Sequence, residues 1–335
     1  MNANQFLKTY GNNGALTLDA NAVAGGMAFL EGQLEKIDPK IREPLTSTWW
    51  PRDIVAKTGG GFVDYTSAYN VDYATIDGDE DGIIDGQTNT IPIMQADIGK
   101  DLFKVFNWAR VLRLSYIDQQ KFIKIALNIE DFLNKGIKLA YDKLLDMNVY
   151  TGFARRGTYG IINNPNVTTV MASATTLNTS GDTEWASKSP DDILKDINKL
   201  MVDTWSASEY DLTGMSNHIL IPPMQYAYIV KQKVSEAGNL SILNYLLENN
   251  IGKNQGVDLF IGPLPFLKGA GTGGTDRMIG YANNEDRLRF SMTVPLNRAM
   301  VSADAANLAY ISSFVSQFSQ VEFLFLQPVE YMDGI

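Results

Sequence analysis

The longest run of strict alternation in the chain lies between Val63 and Ala74. Val63, Tyr65, Ser67, Tyr69, Val71 and Tyr73 fall on one face, and Asp64, Thr66, Ala68, Asn70, Asp72 and Ala74 on the other. Period two marks a β-strand with unlike faces. The run is about twice the usual strand of roughly five or six residues. At about 3.4 Å per residue it reaches roughly 35 Å. An acidic turn follows, Asp77-Gly-Asp-Glu-Asp-Gly82, and a return strand is expected around Thr88 to Met94. The reading is a long β-hairpin projecting from a body. Two strands alone are marginal in water. The face of Val63, Tyr65, Tyr69, Val71 and Tyr73 therefore needs a partner surface, and a neighbouring subunit is the natural supplier.

The period then changes. From about Ile117 to Met147, Phe122, Ile125, Ile129, Phe132, Ile137, Ala140, Leu144 and Met147 recur at helical steps, with Ala126, Leu133, Tyr141 and Leu145 widening the stripe. Ser115 and Asp118 make a capping-box-like start, and Gly152 and Gly157 mark the stop. At about 1.5 Å per residue this helix is a rod of roughly 45 Å. A polar Ser/Thr-rich stretch from Thr168 to Ser189 reads as a loop between lobes. The second lobe opens on Ser189 as a cap, Pro190 at the first helical position and Asp192 completing the box. Ile193, Ile197, Leu200, Met201 and Trp205 form its buried stripe. A strand His218 to Ile221, a helix through Tyr226, Ile229, Val230 and Val234, and a short helix capped by Ser241 follow. Strands are expected near Asp258 to Gly262, Arg277 to Tyr281 and Arg287 to Thr293. Val321-Glu-Phe-Leu-Phe-Leu-Gln-Pro328 is apolar on both faces and reads as a buried central strand closing the first lobe. Residues 1 to about 45 read as an arm. Asp19 could cap a weak helix carrying Val23, Met27, Leu30, Leu34 and Ile37, and Gly25, Gly26 and Gly32 weaken it. A frayed terminus is the alternative.

Composition removes several chemistries. The chain has 335 residues, enough for more than one lobe, with no cysteine and one histidine, His218. Disulfides, thiol nucleophiles and histidine-rich zinc sites are excluded. The net charge is −10, from 38 acidic and 28 basic side chains, which opposes a general nucleic-acid-binding surface. An acidic protein can still lie beside DNA, containing it without gripping it, because like charges repel. No secretory signal is read at the start, and no stretch is apolar enough to cross a bilayer.

These pieces, in this order, resemble the tailed-bacteriophage major capsid proteins of the Hong-Kong-97-type coat fold, which encapsulins share. The order is arm, extended hairpin, long spine helix, second lobe and return strand. The passage Ile37-Asp-Pro39, Glu43-Pro-Leu45, Trp50-Pro-Arg52 is similar to that family's arm-to-hairpin passage. Gly160-Ile-Ile-Asn-Asn-Pro-Asn-Val167 resembles its post-helix loop, and Leu220-Ile-Pro-Pro-Met-Gln-Tyr226 with Ser241-Ile-Leu-Asn-Tyr-Leu246 resembles its second-lobe core. The resemblance implies an α+β fold with an N-terminal arm at 1–45 and an extended loop at 46–100. It implies a peripheral domain with the spine helix at 101–188 and 301–335, and an axial domain at 189–300. It further implies a non-enzymatic subunit whose pentamers and hexamers form an icosahedral shell around double-stranded DNA. The expected partners are further copies of the chain, a scaffolding protein, a portal and the packaged DNA, with no membrane. Scaffolding by a separate protein is expected because no long assembly domain precedes the arm. The expected location is the virion, assembled in a bacterial cytoplasm. An encapsulin-like shell around a cargo enzyme is the alternative, and neighbouring genes would separate the two. A carboxylate-dependent glycosidase is a further alternative, but nothing pairs two acidic residues for it.

Several local motifs compete for attention. Asp77, Asp79, Asp81 and Asp85 fit oxygen-ligand positions one, three, five and nine of an EF-hand calcium loop, with Gly82 at six. Thr88 stands where a bidentate glutamate belongs, and the flanks read as strands. A solvated acidic tip is the other reading. Gly269-Ala-Gly-Thr-Gly-Gly274 has dinucleotide-fingerprint spacing, but a strand-like segment follows where a helix is required, so it reads as a flexible loop. Lys57-Thr58-Gly59 is a turn. His218 is read as structural or surface, and the tyrosine face as packing and not as a base-stacking platform, because Asp64 and Asp72 accompany it. Arg155-Arg156 is a small basic spot suited to acidic side chains or helix carbonyls. A calcium site at the tip should give a saturable heat on calorimetric titration that Asp79→Ala abolishes; identical, negligible heats from both proteins would remove the idea.

Overall fold

The computed structural model describes residues 47–76, 93–124, 129–177, 181–234 and 240–335. The fold is α+β, built among the described residues on three sheets. A one-turn helix α1 (Trp50–Asp53) leads into β1 (Val55–Thr58), then the hairpin strands β2 (Tyr65–Ile76) and β3 (Ile93–Ser115). Helices α2 (Tyr116–Lys124) and α3 (Ile129–Tyr150) occupy the span where one long helix is expected. After β4 (Thr168–Met171) come α4 (Pro190–Ala207), β5 (His218–Ile221), α5 (Pro223–Lys231), α6 (Ile242–Asn249) and α7 (Ile251–Asn254). Strands β6 (Phe260–Pro263), β7 (Arg277–Tyr281), β8 (Leu288–Met292), β9 (Val294–Asp304), β10 (Ala309–Ser319), β11 (Val321–Phe323) and β12 (Val329–Asp333) complete the chain.

β3 is the organising strand. Its 23 residues span roughly 75 Å at about 3.4 Å each. Among the described residues, 93–104 pair with β2 alone, and 105–115 pair with β10 in the order β2-β3-β10-β9. The outer half is exposed at every position from Ile93 to Leu102, and burial begins at Phe103. The hairpin is thus an extension of a strand that belongs to the body.

In the five-stranded sheet β4-β12-β7-β5-β6 the three central strands β12, β7 and β5 are buried on both faces, and the edge strand β4 is mostly exposed. Alternation sends Leu220, Ile279, Tyr281, Val329 and Tyr331 into one core, with Tyr141, Leu145, Val149 and Tyr150 of α3 and with Phe290 and Phe318. It sends Ile219, Ile221, Ile261, Met278 and Met332 into the other, with Ile193, Ile197, Leu200 and Met201 of α4 and Ile229, Ile242 and Leu246 of α5 and α6. The two lobes therefore meet across one shared sheet.

Four expectations change. Lys57 and Thr58, read as a turn, end strand β1 and pair with β8. The C-terminal segment does not close the first lobe. Val321–Phe323 is a short edge strand beside β8, and the buried central strand is β12, hydrogen-bonded to β7 and β4. β4 itself lies in the stretch read as a loop. On α3 the buried stripe is Ile137, Tyr141, Leu145 and Val149, at steps of four, and Met147 faces solvent, two residues off that line. The stop of α3 is as expected. Gly152 has φ +65°, and its N–H donates to Met147 carbonyl at 2.9 Å, closing the last turn. In α4 Ser189 Oγ accepts from the Asp192 N–H at 3.2 Å, and Ser241 Oγ caps α6 by accepting from Asn244 N–H at 3.3 Å. Each such cap contributes about 1 kcal/mol.

Gly160 lets the post-helix loop lie against the end of α3. A Cβ there would sit 2.2 Å from the Tyr150 carbonyl atoms, which are backbone and cannot swing away. Gly160→Ala should lower the unfolding free energy by roughly 2 kcal/mol or more, read as an earlier urea midpoint at unchanged m-value.

Candidate functional site

Opposed residues of an antiparallel pair share a face. The β2–β3 register sets Tyr65 opposite Lys104, Ser67 opposite Leu102, Tyr69 opposite Lys100, Val71 opposite Ile98, Tyr73 opposite Ala96 and Thr75 opposite Met94. Tyr65, Tyr69, Val71, Tyr73, Met94, Ile98 and Leu102 therefore form one apolar face. Every one is exposed, from 44% for Val71 to 72% for Tyr73 and Met94. The Lys100 ammonium lies 5.5 Å from the Tyr69 ring centroid. The opposite face is polar: Asp72 opposes Asp97, and Asn70 Nδ2 donates to Asp101 Oδ2 at 2.5 Å. A contiguous apolar patch of this kind on a folded chain marks an interaction surface.

Val63 does not belong to this face. The strand starts at Tyr65, and Val63 is half-buried at the hairpin root. Its N–H donates to Gln317 Oε1 at 3.0 Å, and its carbonyl accepts from Gln317 Nε2 at 2.8 Å. The same buried amide donates to Asn107 Oδ1 at 2.7 Å. Beside it Thr66 Oγ1 donates to Glu322 Oε1 at 2.7 Å, and Glu322 Oε2 accepts from Arg289 Nε at 2.9 Å. The root is thus fixed by buried polar groups whose partners are all supplied locally, which holds direction better than apolar contact alone. Met94, Ile98 and Leu102 were the missed members of the face. Their signal was the alternation continuing on even positions past Met94.

A second cluster fixes the segment from which the hairpin departs. Asp53 is fully buried. Arg52 grips it with two nitrogens, at 2.5 and 2.9 Å, and Tyr150 hydroxyl donates to its Oδ2 at 2.6 Å. His218 Nε2 lies 3.2 Å from its Oδ1, and Tyr281 hydroxyl donates to its backbone carbonyl at 2.5 Å. Arg52 also donates to Pro263 carbonyl at 3.0 Å. One turn earlier, Asp146 Oδ1 accepts the N–H groups of Trp49 and Trp50 at 3.0 and 2.9 Å. The passage Trp49 to Asp53 is thereby tied to α3 on one side and to β5, β6 and β7 on the other. Burial alone would raise the Asp53 pKa; hydrogen bonds from His218, Arg52 and Tyr150 outweigh it and hold the carboxyl below its ordinary 3.8. Burial and the neighbouring Asp53 charge push the Tyr150 hydroxyl well above its ordinary value.

His218 is a buried structural residue. Its ring stacks on Phe260 at 4.4 Å, and no sequence pattern had suggested its partner Asp53. The glycine-rich loop lies before strand β7, with a short 3-10 turn at Thr272–Gly274, and lacks the helix a dinucleotide fingerprint needs. Asp333 holds it by accepting from Thr272 N–H and Oγ1 while pairing with Arg277. Arg156 lies over Phe106 at 5.3 Å and, like Arg155, is exposed. Asp77, Asp79, Asp81, Asp85 and Thr88 lie outside the described residues, as does the arm.

The family model described as "Major capsid protein" matches residues 79–335. The chain belongs to the major capsid protein family. Its fold is that of tailed-phage shells. The capsid of Myoviridae phage XM1 superposes with TM-score 0.72 at 18% identity, covering 96% of this chain and 100% of that one. A solved structure from Microbacterium phage Oxtober96 gives 0.59 at 11%, covering 91% and 98%. The capsid of an empty GTA particle gives 0.57 at 12%, covering 95% and 99%. No curated protein matches the chain. These findings do not favour the cargo-shell alternative. A major capsid protein is a structural subunit that self-assembles into a shell, and an exposed apolar hairpin face suits that role.

Asp53→Asn should destabilise the capsid subunit at pH 7 by roughly 3 kcal/mol, because it strands a partly buried guanidinium. The Asp53 pKa is depressed, so its contribution is full above the ordinary 3.8 and fades as pH falls through the lower folded-state value. The gap between wild type and variant in urea unfolding should therefore persist at pH 5 and shrink below pH 3.8.

Proposed function

We propose that this major capsid protein forms pentamers and hexamers of an icosahedral phage head enclosing double-stranded DNA, and that the hairpin face is buried against neighbouring copies in that shell. The observation that carries the reading is the row Tyr65, Tyr69, Val71 and Tyr73 with Met94, Ile98 and Leu102, exposed on a two-stranded ribbon. A ribbon of two strands has no second layer of its own, so a neighbour supplies it. The net charge of −10 suits a wall that contains packaged DNA without gripping it. Assembly takes place in the bacterial cytoplasm with a scaffolding protein and a portal. Residues 1–45 act as the arm and 46–100 as the extended loop. Residues 101–188 and 301–335 supply the peripheral domain, and 189–300 the axial domain around the symmetry axes, with β12 packed into the axial sheet.

Tyr65→Asp combined with Tyr69→Asp tests the reading. Both side chains are exposed, so the subunit should keep its circular dichroism and its unfolding free energy within about 0.5 kcal/mol. It should stay soluble yet give no closed shells in negative-stain micrographs under conditions where wild type assembles. Normal particles from the double variant would refute the hairpin's role.

A further inference from the structure

A cavity of about 480 Å³ opens between α4 and the β4–β12 side of the five-stranded sheet. Its polar lining includes Asn166, Thr168, Asp203, Gln327 and Glu330. Glu330 is on β12, on the face that turns toward α4. It is only 4% exposed, and its Oε2 is out of solvent with no hydrogen-bond partner among the described residues. A buried carboxylate oxygen without a donor is costly and rare in native folds. A second carboxylate, Asp203 of α4, lines the same cavity. The charged groups acting on Glu330 are both on α4: Asp203, which opposes its ionisation, and the exposed Lys199, which favours it. The register neighbours of Glu330 on the flanking strands are Thr168 and Gly280, which bring no charge.

We propose that this cavity is a cation site that takes an ammonium or guanidinium group between Glu330 and Asp203. Two carboxylates supply the charge, and the Glu330 carboxyl, on turning its buried oxygen into the cavity, supplies the acceptor for an N–H donor. Among the described residues no group of three or more acidic or histidine side chains is placed to hold a metal ion, so an N–H cation fits the donor set better. The site is on a different element from the hairpin face and does not rest on the assembly reading. Two sources share this chemistry: a free amine, or a lysine or arginine side chain of a second copy. The state of Glu330 supports the assignment. Burial first, then the Asp203 charge, push its carboxyl up to about 8, so at pH 7 it holds a proton that an arriving cation would displace.

The test is calorimetric titration of the unassembled full-length chain with 1,4-diaminobutane at pH 7, in buffers of differing ionisation enthalpy. Wild type should bind saturably, with a heat that depends on the buffer because a proton is released. Glu330→Gln mimics the protonated side chain and should fold normally. It should lose at least about tenfold in affinity, the worth of one charge-assisted contact, together with the buffer dependence. Asp203→Asn, on the helix surface, should weaken binding and reduce proton release, since it removes the charge that raises Glu330. Heats that are the same in wild type and Glu330→Gln, with no buffer dependence in either, would overturn the proposal. Assembled shells distinguish the sources. Shells that no longer bind the diamine identify a side chain of a second copy as the occupant, and shells that bind it as the free chain does identify a free amine.

Discussion

A two-stranded ribbon cannot cover its own apolar face, and this geometric fact governs the molecule. β3 begins as half of such a ribbon and ends as an interior strand of a four-stranded sheet. Its inner half is stabilised by β10 and by the core around Phe106 and Phe318. Among the described residues its outer half pairs with β2 only, and carries a row of exposed aromatic and aliphatic side chains. Because the strand is continuous, the body sets the direction in which that row is presented. Gln317 and Glu322 then pin the fork where the partner changes.

Buried charge does the complementary work of holding the body itself in one arrangement. Asp53 with Arg52, Asp196 with Lys188, and Asp333 with Arg277 are each paired and further hydrogen-bonded. Such pairs add little net stability over apolar packing, but removing one partner is costly, so they select a single geometry. The Asp53 cluster joins α3 to β5, β6 and β7, and Asp333 ties the glycine-rich loop to the end of β12. Shell formation asks for this kind of definition, because every subunit must offer its surfaces at the same angles.

What could be read from the chain was what is encoded locally. The Tyr65–Tyr73 alternation, the Ser189-Pro190 start of α4, the Ser241 cap and the Gly152 stop each involve residues within a few positions of one another. The clustering of Asp53, Tyr150 and His218 was not legible, because its partners are 97 and 165 positions away. β9 and β10 escaped for a related reason. Their residues carry no sustained one-sided alternation, and pairing with β3 and with each other gives them strand structure. The C-terminal stretch shows the limit of pattern alone. The buried central strand expected at Val321–Pro328 is instead β12 at Val329–Asp333, because its position and its sheet depend on the partner β7. The Oε2 of Glu330 lacks a partner among the described residues because of what the fold places around it, and nothing in the sequence flags that.

The five-stranded sheet has a consequence for how this protein can vary. Neighbouring residues on β7 and β12 serve opposite cores: Tyr331 packs with α3 and Met332 with α4, and Ile279 and Met278 divide in the same way. Inserting or deleting one residue in either strand would exchange the two sets, driving a ring into a space shaped for a thioether and the reverse. These strands are therefore closed to length changes even where they accept substitutions, and drift in chain length among descendants must collect in the connections outside the sheet.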